Sequence, residues 1–365
     1  MSRIEEKNVQ RLLWLSRGGW LLIIGAFAST IVAGILAALQ VNAVLIFVLS
    51  AVALALLAAL VGEATDQLGS RLGAGATGVL QSALGNLPEL FVGIFALRAG
   101  LIDVVQAALV GSILGNSLFV LGLAFFVGGL RNGPQRFSSD APRMITTLTL
   151  LAVAALAVPT LVHGLHTPAA GHEDGFSIAC AVILLLIFIA SIPVSLKGGP
   201  PSLPEEPNRE LHVWPLWFTI AMLVAAGAGA AFVSDWFVAA LTPAITFLHI
   251  SAAFTGLVIV ALAGNAVENV VGIQFAARNK ADYAISVILN SSLQVALGLI
   301  PVLVLLSFFI GGVHLTLVMP PLLVAALALA AILSSFIIYD GESTWLEGLT
   351  LVGLYGIIAV AFWWG

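Results

Sequence analysis

The sequence predicts an all-α integral membrane protein of about eleven transmembrane helices: one extra N-terminal helix followed by two inverted five-helix repeats. Three observations carry this. Hydrophobic residues make up 61% of the 365 and charged residues only 8%, against roughly 25% charged in an ordinary soluble domain. Apolar windows of about 20 residues, the length that spans a bilayer core, recur from residue 19 to the end. Two Gly-Asn…Glu segments, GNLPE at 85–89 and GNAVE at 264–268, lie deep inside such windows.

Taken in order, the expected spans are 19–40, 42–68, 74–98, 103–129, 143–163, 175–196, 213–234, 252–277, 281–309, 315–337 and 343–364. The first 18 residues are charged and mixed and show no cleavable signal pattern. Connections are short, leaving no room for a soluble domain. Lysine and arginine concentrate on the cytoplasmic side of membrane proteins. With the N-terminus inside, twelve of the thirteen basic residues fall on inner segments and only Arg98 falls outside. That places the N-terminus in the cytoplasm and the C-terminus outside, in what the lean loops suggest is a bacterial cytoplasmic membrane. No basic patch points to nucleic acid, and the single cysteine, Cys180, excludes an internal disulfide framework. The partners are therefore the lipid bilayer and transported ions, with room left for a homo-oligomer.

An offset of 179 residues, the separation of Glu89 and Glu268, also lays Gly85-Asn86 on Gly264-Asn265, Gly93 on Gly272 and Asp103 on Asp282. An odd number of spans separates the copies, so they run in opposite directions. This is the inverted architecture that sets an ion site near the membrane midplane. The division is an N-terminal segment with the first helix (1–41), a first five-helix repeat (42–196), a cytoplasmic linker (197–212) and a second repeat (213–365). The proline- and charge-rich stretch 197–210 marks the linker.

An ionised carboxylate in hydrocarbon needs a partner, a cation or a proton, and two equivalently placed ones point to one shared site. On a helix, Gly85, Asn86 and Glu89 crowd one face with Ser82 a turn earlier, and Gly264, Asn265 and Glu268 do the same. Pro88 frees the Leu84 carbonyl from its helical bond; the second motif lacks the proline, so its break would depend on Gly264 alone. Two carboxylates, two amides and loosened carbonyls supply most of the six to eight oxygens, at roughly 2.3–2.6 Å, that calcium takes. Apolar surroundings favour the neutral form of a glutamate and a bound cation favours the ionised form, so protons and a cation would compete for the same groups. Ser112, Asn116, Ser291, Ser292 and Gln294 could add oxygens or hold the glutamates, or simply pack helices together. Glu63 and Asp66 end the second helix on the inner side, as a solvated helix end or a proton relay. His163, His166 and His172, with Glu173 and Asp174, form an outer-loop cluster that could attract metal, although its spacing fits no closed zinc site. Trp14, Trp20, Trp214, Trp217, Trp363 and Trp364 read as interfacial anchors.

The segments LGNLPELFVGIFALRAGLIDVVQAALVGSILGN and AGNAVENVVGIQFAARNKADYAISVILNSSLQVAL resemble the two signature repeats of the calcium/proton exchanger (CAX) family of the cation/calcium antiporter superfamily. The closing segment YDGESTWLEGLTLVGLYGIIAVAFW resembles that family's last helix. The resemblance implies an eleven-helix antiporter exporting Ca2+ in exchange for H+, with Glu89 and Glu268 as shared ligands and Asn86, Asn265 and Gln294 in support. It implies no cofactor, calcium being cargo; carboxylates can also do acid-base work, but no nucleophile or His-metal constellation accompanies these, so an enzyme is not expected. Asn269 stands where the family often has histidine, and Asn290 where glycine is usual, which bears on ion choice. The alternatives are sodium/calcium exchange, exchange of another divalent cation such as Mn2+ for protons, or a cation channel using the same carboxylates as a selectivity ring.

Overall fold

The computed structural model describes residues 16–72, 84–138, 140–197 and 214–364. Its helices are α1 (Arg17–Ala38), α2 (Ala43–Leu72), α3 (Leu87–Arg98), α4 (Ile102–Asn132), α5 (Asp140–Gly164), α6 (Glu173–Lys197), α7 (Leu216–Leu248), α8 (Ala252–Gly264), α9 (Ala266–Ala277), α10 (Ala281–Ser307), α11 (Pro321–Tyr339) and α12 (Trp345–Trp363). Among the described residues nine helices are long and apolar enough to cross a membrane, and a tenth span results if α8 and α9, bent by 66° at their joint, count as one. The third expected span falls partly on 74–83, outside the described residues, as does the linker over 198–213. Large apolar side chains such as Leu21, Ile31, Leu186, Val224, Phe336 and Ile357 are exposed, as they must be where the solvent is lipid.

The helix boundaries differ from expectation in four places. The seventh span, expected over 213–234, runs on to Leu248. Asp235 looks like a boundary in the sequence, but it is exposed on the helix surface and leaves the backbone ladder undisturbed. At 33 residues α7 measures about 50 Å, well beyond the roughly 30 Å of a bilayer core. The tenth span, expected from 315, starts at Pro321, because Pro320 and Pro321 keep the residues before them extended. The third and eighth spans break at Asn86 and Asn265.

Gly111 of α4 meets the backbone of Leu257 in α8, and Gly256 of α8 meets the Val104 carbonyl in α4; a Cβ at either would stand 2.2 Å and 2.5 Å from those atoms. Only glycine permits that approach, and it draws the middle of α4 against the segment leading into the second motif. The helices α4, α8 and α10 each carry a π-helical stretch, Gly115–Val120, Thr255–Val260 and Val295–Leu299. Such stretches frequently mark functional sites. The helices α2 and α7 pack antiparallel along their length, with Phe47 stacked on Phe237 at 4.8 Å. A two-stranded ribbon, β1 (Gln135–Arg136) and β2 (Glu342–Ser343), ties the loop after α4 to the loop before α12.

Candidate functional site

Asn86 and Asn265 adopt the same backbone conformation, φ −96° and ψ 20°, and each stands immediately before a 12-residue helix. The chain is therefore not one continuous helix through either motif, which corrects the single-face arrangement of Gly85, Asn86 and Glu89. Leu84 and Gly85 precede the joint; Glu89 and Glu268 sit in the first turn of α3 and α9. That turn presents unpaired N–H groups and the positive end of the helix dipole, which favour a carboxylate. The two joints are alike although only the first has a proline, so Pro88 does not make the break.

The two motifs meet. The Glu89 side chain lies on Gly264, where a Cβ would stand 2.8 Å from Glu89 Cγ and 3.0 Å from Oε1. Glu89 Oε2 is buried and has no hydrogen-bond donor among the described residues. A cavity opens onto Glu89, Ser112 and Gly264 and runs between Val92, Ala96 and Leu303. Its walls are apolar, so the carboxylate is the dominant polar group facing it.

Behind Gly264 an amide and hydroxyl network crosses between the motifs. Asn265 Nδ2 donates to Ser112 Oγ at 2.8 Å and to the Ala261 carbonyl at 2.9 Å. Its Oδ1 accepts from Asn116 Nδ2 at 3.1 Å and from Ser291 Oγ at 3.3 Å. Asn116 Nδ2 also donates to Ser291 Oγ at 3.0 Å. Ser112 and Ser291, equivalent positions at the 179-residue offset, thus both hold Asn265. With every position of its amide occupied, Asn265 is built as a clamp, whereas Asn116 Oδ1 is buried and has no donor among the described residues. Ser292 pairs with Ser117 at 3.1 Å. Ser117 was missed in the sequence reading; only its place beside Asn116 hinted at it. Gln294 ends the regular turns of α10 before the π-helical stretch. Asn86 is buried at the first joint, and Ser82 lies outside the described residues.

Glu63 and Asp66 stand exposed near the end of α2, where Glu63 Oε1 accepts from Gln67 Nε2 at 3.1 Å. The carboxylates of Glu63, Asp66, Glu268 and Glu89 lie within electrostatic reach of one another in that order. The outer-loop residues do not gather: His163 pairs with Glu173 at 2.5 Å and His314 with Asp174 at 3.3 Å. No group of three or more metal-ligating side chains forms among the described residues. Trp214 is 2% exposed, with its carbonyl held by Arg71, and so is a packed residue rather than the expected anchor; Trp217, at 68% exposed, keeps that role.

The family model for sodium/calcium exchanger proteins matches residues 42–197 and 218–364. The chain belongs to this family. It is a family of transporters, and this member is an integral membrane protein, in agreement with the CAX signature repeats. A Ca(2+)/H(+) antiporter of Synechocystis is 34% identical over 87% of this exchanger-family chain and 90% of its own length. The Ca(2+)/H(+) antiporter ChaA of Bacillus subtilis is 33% identical over 87% and 91%. The crystal structure of the Ca2+/H+ antiporter protein YfkE superposes with a TM-score of 0.80 at 30% identity, covering 94% of this chain and 99% of that one.

Proposed function

We propose that this chain is a secondary active antiporter that exports Ca2+ from the cytoplasm in exchange for H+ by alternating access, with Glu89 and Glu268 as the shared ligands. The observation that carries this is the buried Glu89 side chain, laid against the second motif with one carboxylate oxygen, Oε2, lacking any donor among the described residues. A buried acceptor without a donor is unsatisfied until a proton or a cation arrives. Two carboxylates balance one divalent charge, and Asn116 Oδ1 adds a neutral oxygen of the kind calcium accepts. The Leu84 carbonyl and the Asn86 amide complete the proposed ligand set, while Asn265, Ser112, Ser291, Ser292 and Gln294 hold it in place.

Exchange follows from competition. A protonated pair is neutral and a calcium-loaded pair is neutral, whereas the empty ionised pair carries two charges that hydrocarbon rejects. Only loaded or protonated carriers then reorient, so each calcium leaving is answered by protons entering. The line from Glu63 through Asp66 to Glu268 is the proposed inner route for protons. The distribution of basic residues supports a cytoplasmic N-terminus and an external C-terminus. The matching joints, with helices of equal length after them, support inverted repeats over 42–196 and 213–365. The antiporter relatives support calcium and protons as the exchanged pair.

The test is radiolabelled calcium uptake into inverted vesicles holding an acid-inside gradient, for wild type, Glu89→Gln and Glu268→Gln. Uptake that needs the gradient and vanishes in both variants is the expected result. Uptake that ignores protons or survives both substitutions overturns the proposal. The family description favours one second reading, sodium/calcium exchange; a sodium gradient imposed on the same vesicles at constant pH distinguishes it.

A further inference from the structure

The helices α3 and α9 each begin at an irregular joint, Asn86 and Asn265, where the regular helical backbone is interrupted. Each is met at its far end by an extended segment from the opposite half of the sequence. For α9 the segment is 135–138. Gln135, 1% exposed, donates through Nε2 to the Ala276 carbonyl at 2.9 Å and to Asn279 Oδ1 at 3.4 Å. Asn132 Nδ2 reaches the same carbonyl at 3.3 Å, and the Ser138 N–H donates to Asp282 Oδ1 at 2.8 Å. The Ala276 carbonyl already accepts the Asn279 N–H at 3.0 Å, and a carbonyl has two lone pairs, so Gln135 adds a second, long-range cap delivered from elsewhere in the chain. Pairing of Gln135 with Ser343 and of Arg136 with Glu342 anchors the segment. Gly128 makes space for it, since a Cβ there would stand 2.0 Å from Gln135 Oε1.

The end of α3 is met in a parallel way. At Gly312, φ +107°, a Cβ would stand 2.9 Å from the Leu97 carbonyl. The extended chain that follows is held by side chains: the N–H groups of Leu315, Leu317 and Met319 donate to Ser307, Ser177 and Thr160, each at 2.9 Å. Gln106 Nε2 donates to the Thr316 and Val318 carbonyls at 3.1 Å and 2.9 Å. At the 179-residue offset relating the two glutamates, 134–141 falls on 313–320. Of the two glutamines, only Gln135 bonds directly to the end of a carboxylate-bearing helix.

We propose that Gln135 is a positioning residue for the cation site: by capping α9 from outside, it fixes the axial position of Glu268, about 12 Å away at the other end of a rigid helix, and thereby sets cation affinity. This rests on the cation-exchange reading above. Small displacements of a liganding group weaken binding steeply. The experiment is calcium uptake by full-length wild type and Gln135→Leu in the same vesicles, read as half-saturating calcium and maximal rate separately. A smaller folded fraction lowers the maximal rate alone and leaves half-saturation untouched. Gln135→Leu is expected to raise half-saturating calcium at least about threefold, with the maximal rate per folded protein within about twofold. Gly128→Ala, which displaces Gln135 without removing it, is expected to do the same and serves if Gln135→Leu fails to accumulate. Half-saturation unchanged beside normal gradient-driven uptake by the wild type overturns the positioning role and leaves the exchange reading standing. A wild type that takes up no calcium overturns both.

Discussion

At the scale of single residues, the contact between Glu89 and Gly264 decides most. In the sequence, Gly264 is one small residue in a motif; in the structure it is the surface on which the opposite motif's carboxylate rests. Gly264→Ala would set a methyl 2.8 Å from Glu89 Cγ, and because that carbon belongs to the side chain proposed as ligand, relief of the clash moves the carboxylate. Transport is expected to fall at least about tenfold with little change in the amount of protein in the membrane, measured as gradient-driven uptake per immunodetected carrier. Near-wild-type uptake would show that the Glu89 side chain need not lie there. The residue types of the site were readable in the sequence, because an intramembrane carboxylate has few structural excuses. The division of labour between the two asparagines was not: Asn265 spends its whole amide on Ser112, Ala261, Asn116 and Ser291, whereas Asn116 keeps an oxygen free of donors. That depends on which neighbours reach each amide, and periodicity carries no such information.

At the scale of elements, the break ahead of each glutamate is the working feature. Asn86 and Asn265 share one backbone conformation, although only the first is followed by a proline. Pro88 at the start of α3 occupies a position where its missing N–H is not needed. Pro88→Ala is accordingly expected to retain gradient-driven calcium uptake within about threefold of wild type, given the small helix-start effects involved. Loss of uptake in Pro88→Ala alone would show that the two joints are held by different means. Pro88 and Gly264 mark the expected breaks in the sequence, whereas both joints fall at Asn86 and Asn265. Hydropathy sees composition, and a joint that keeps both flanks apolar leaves no mark on it. The seventh span runs past its expected end because Asp235 is exposed on a long helix and places no demand on the backbone.

At the scale of the whole molecule, the proposed competition of protons and calcium for a shared pair of carboxylates fixes the direction of a pH effect. Protonation removes the charge that attracts calcium, so half-saturating calcium is expected to rise as the pH on the cytoplasmic face falls. Mass action limits the rise to about tenfold per pH unit for each competing proton. Calcium titrations of inverted vesicles at several external pH values measure this. Half-saturation that is flat in pH would separate the proton site from the calcium site and remove the shared-ligand mechanism.

The sequence by itself determined that the chain lives in a bilayer, that two buried carboxylates recur at a fixed offset and that they belong together. Solvent imposes those features on composition and spacing, residue by residue. Only the tertiary structure decided that the Glu89 side chain lies on Gly264, that the histidines and acids of the outer loop form separate pairs, and that Gln135 caps the far end of the Glu268 helix. Each of these joins residues distant in the chain through one or two hydrogen bonds or a single close approach. Such contacts follow from how the helices cross, and no local pattern in the sequence encodes them.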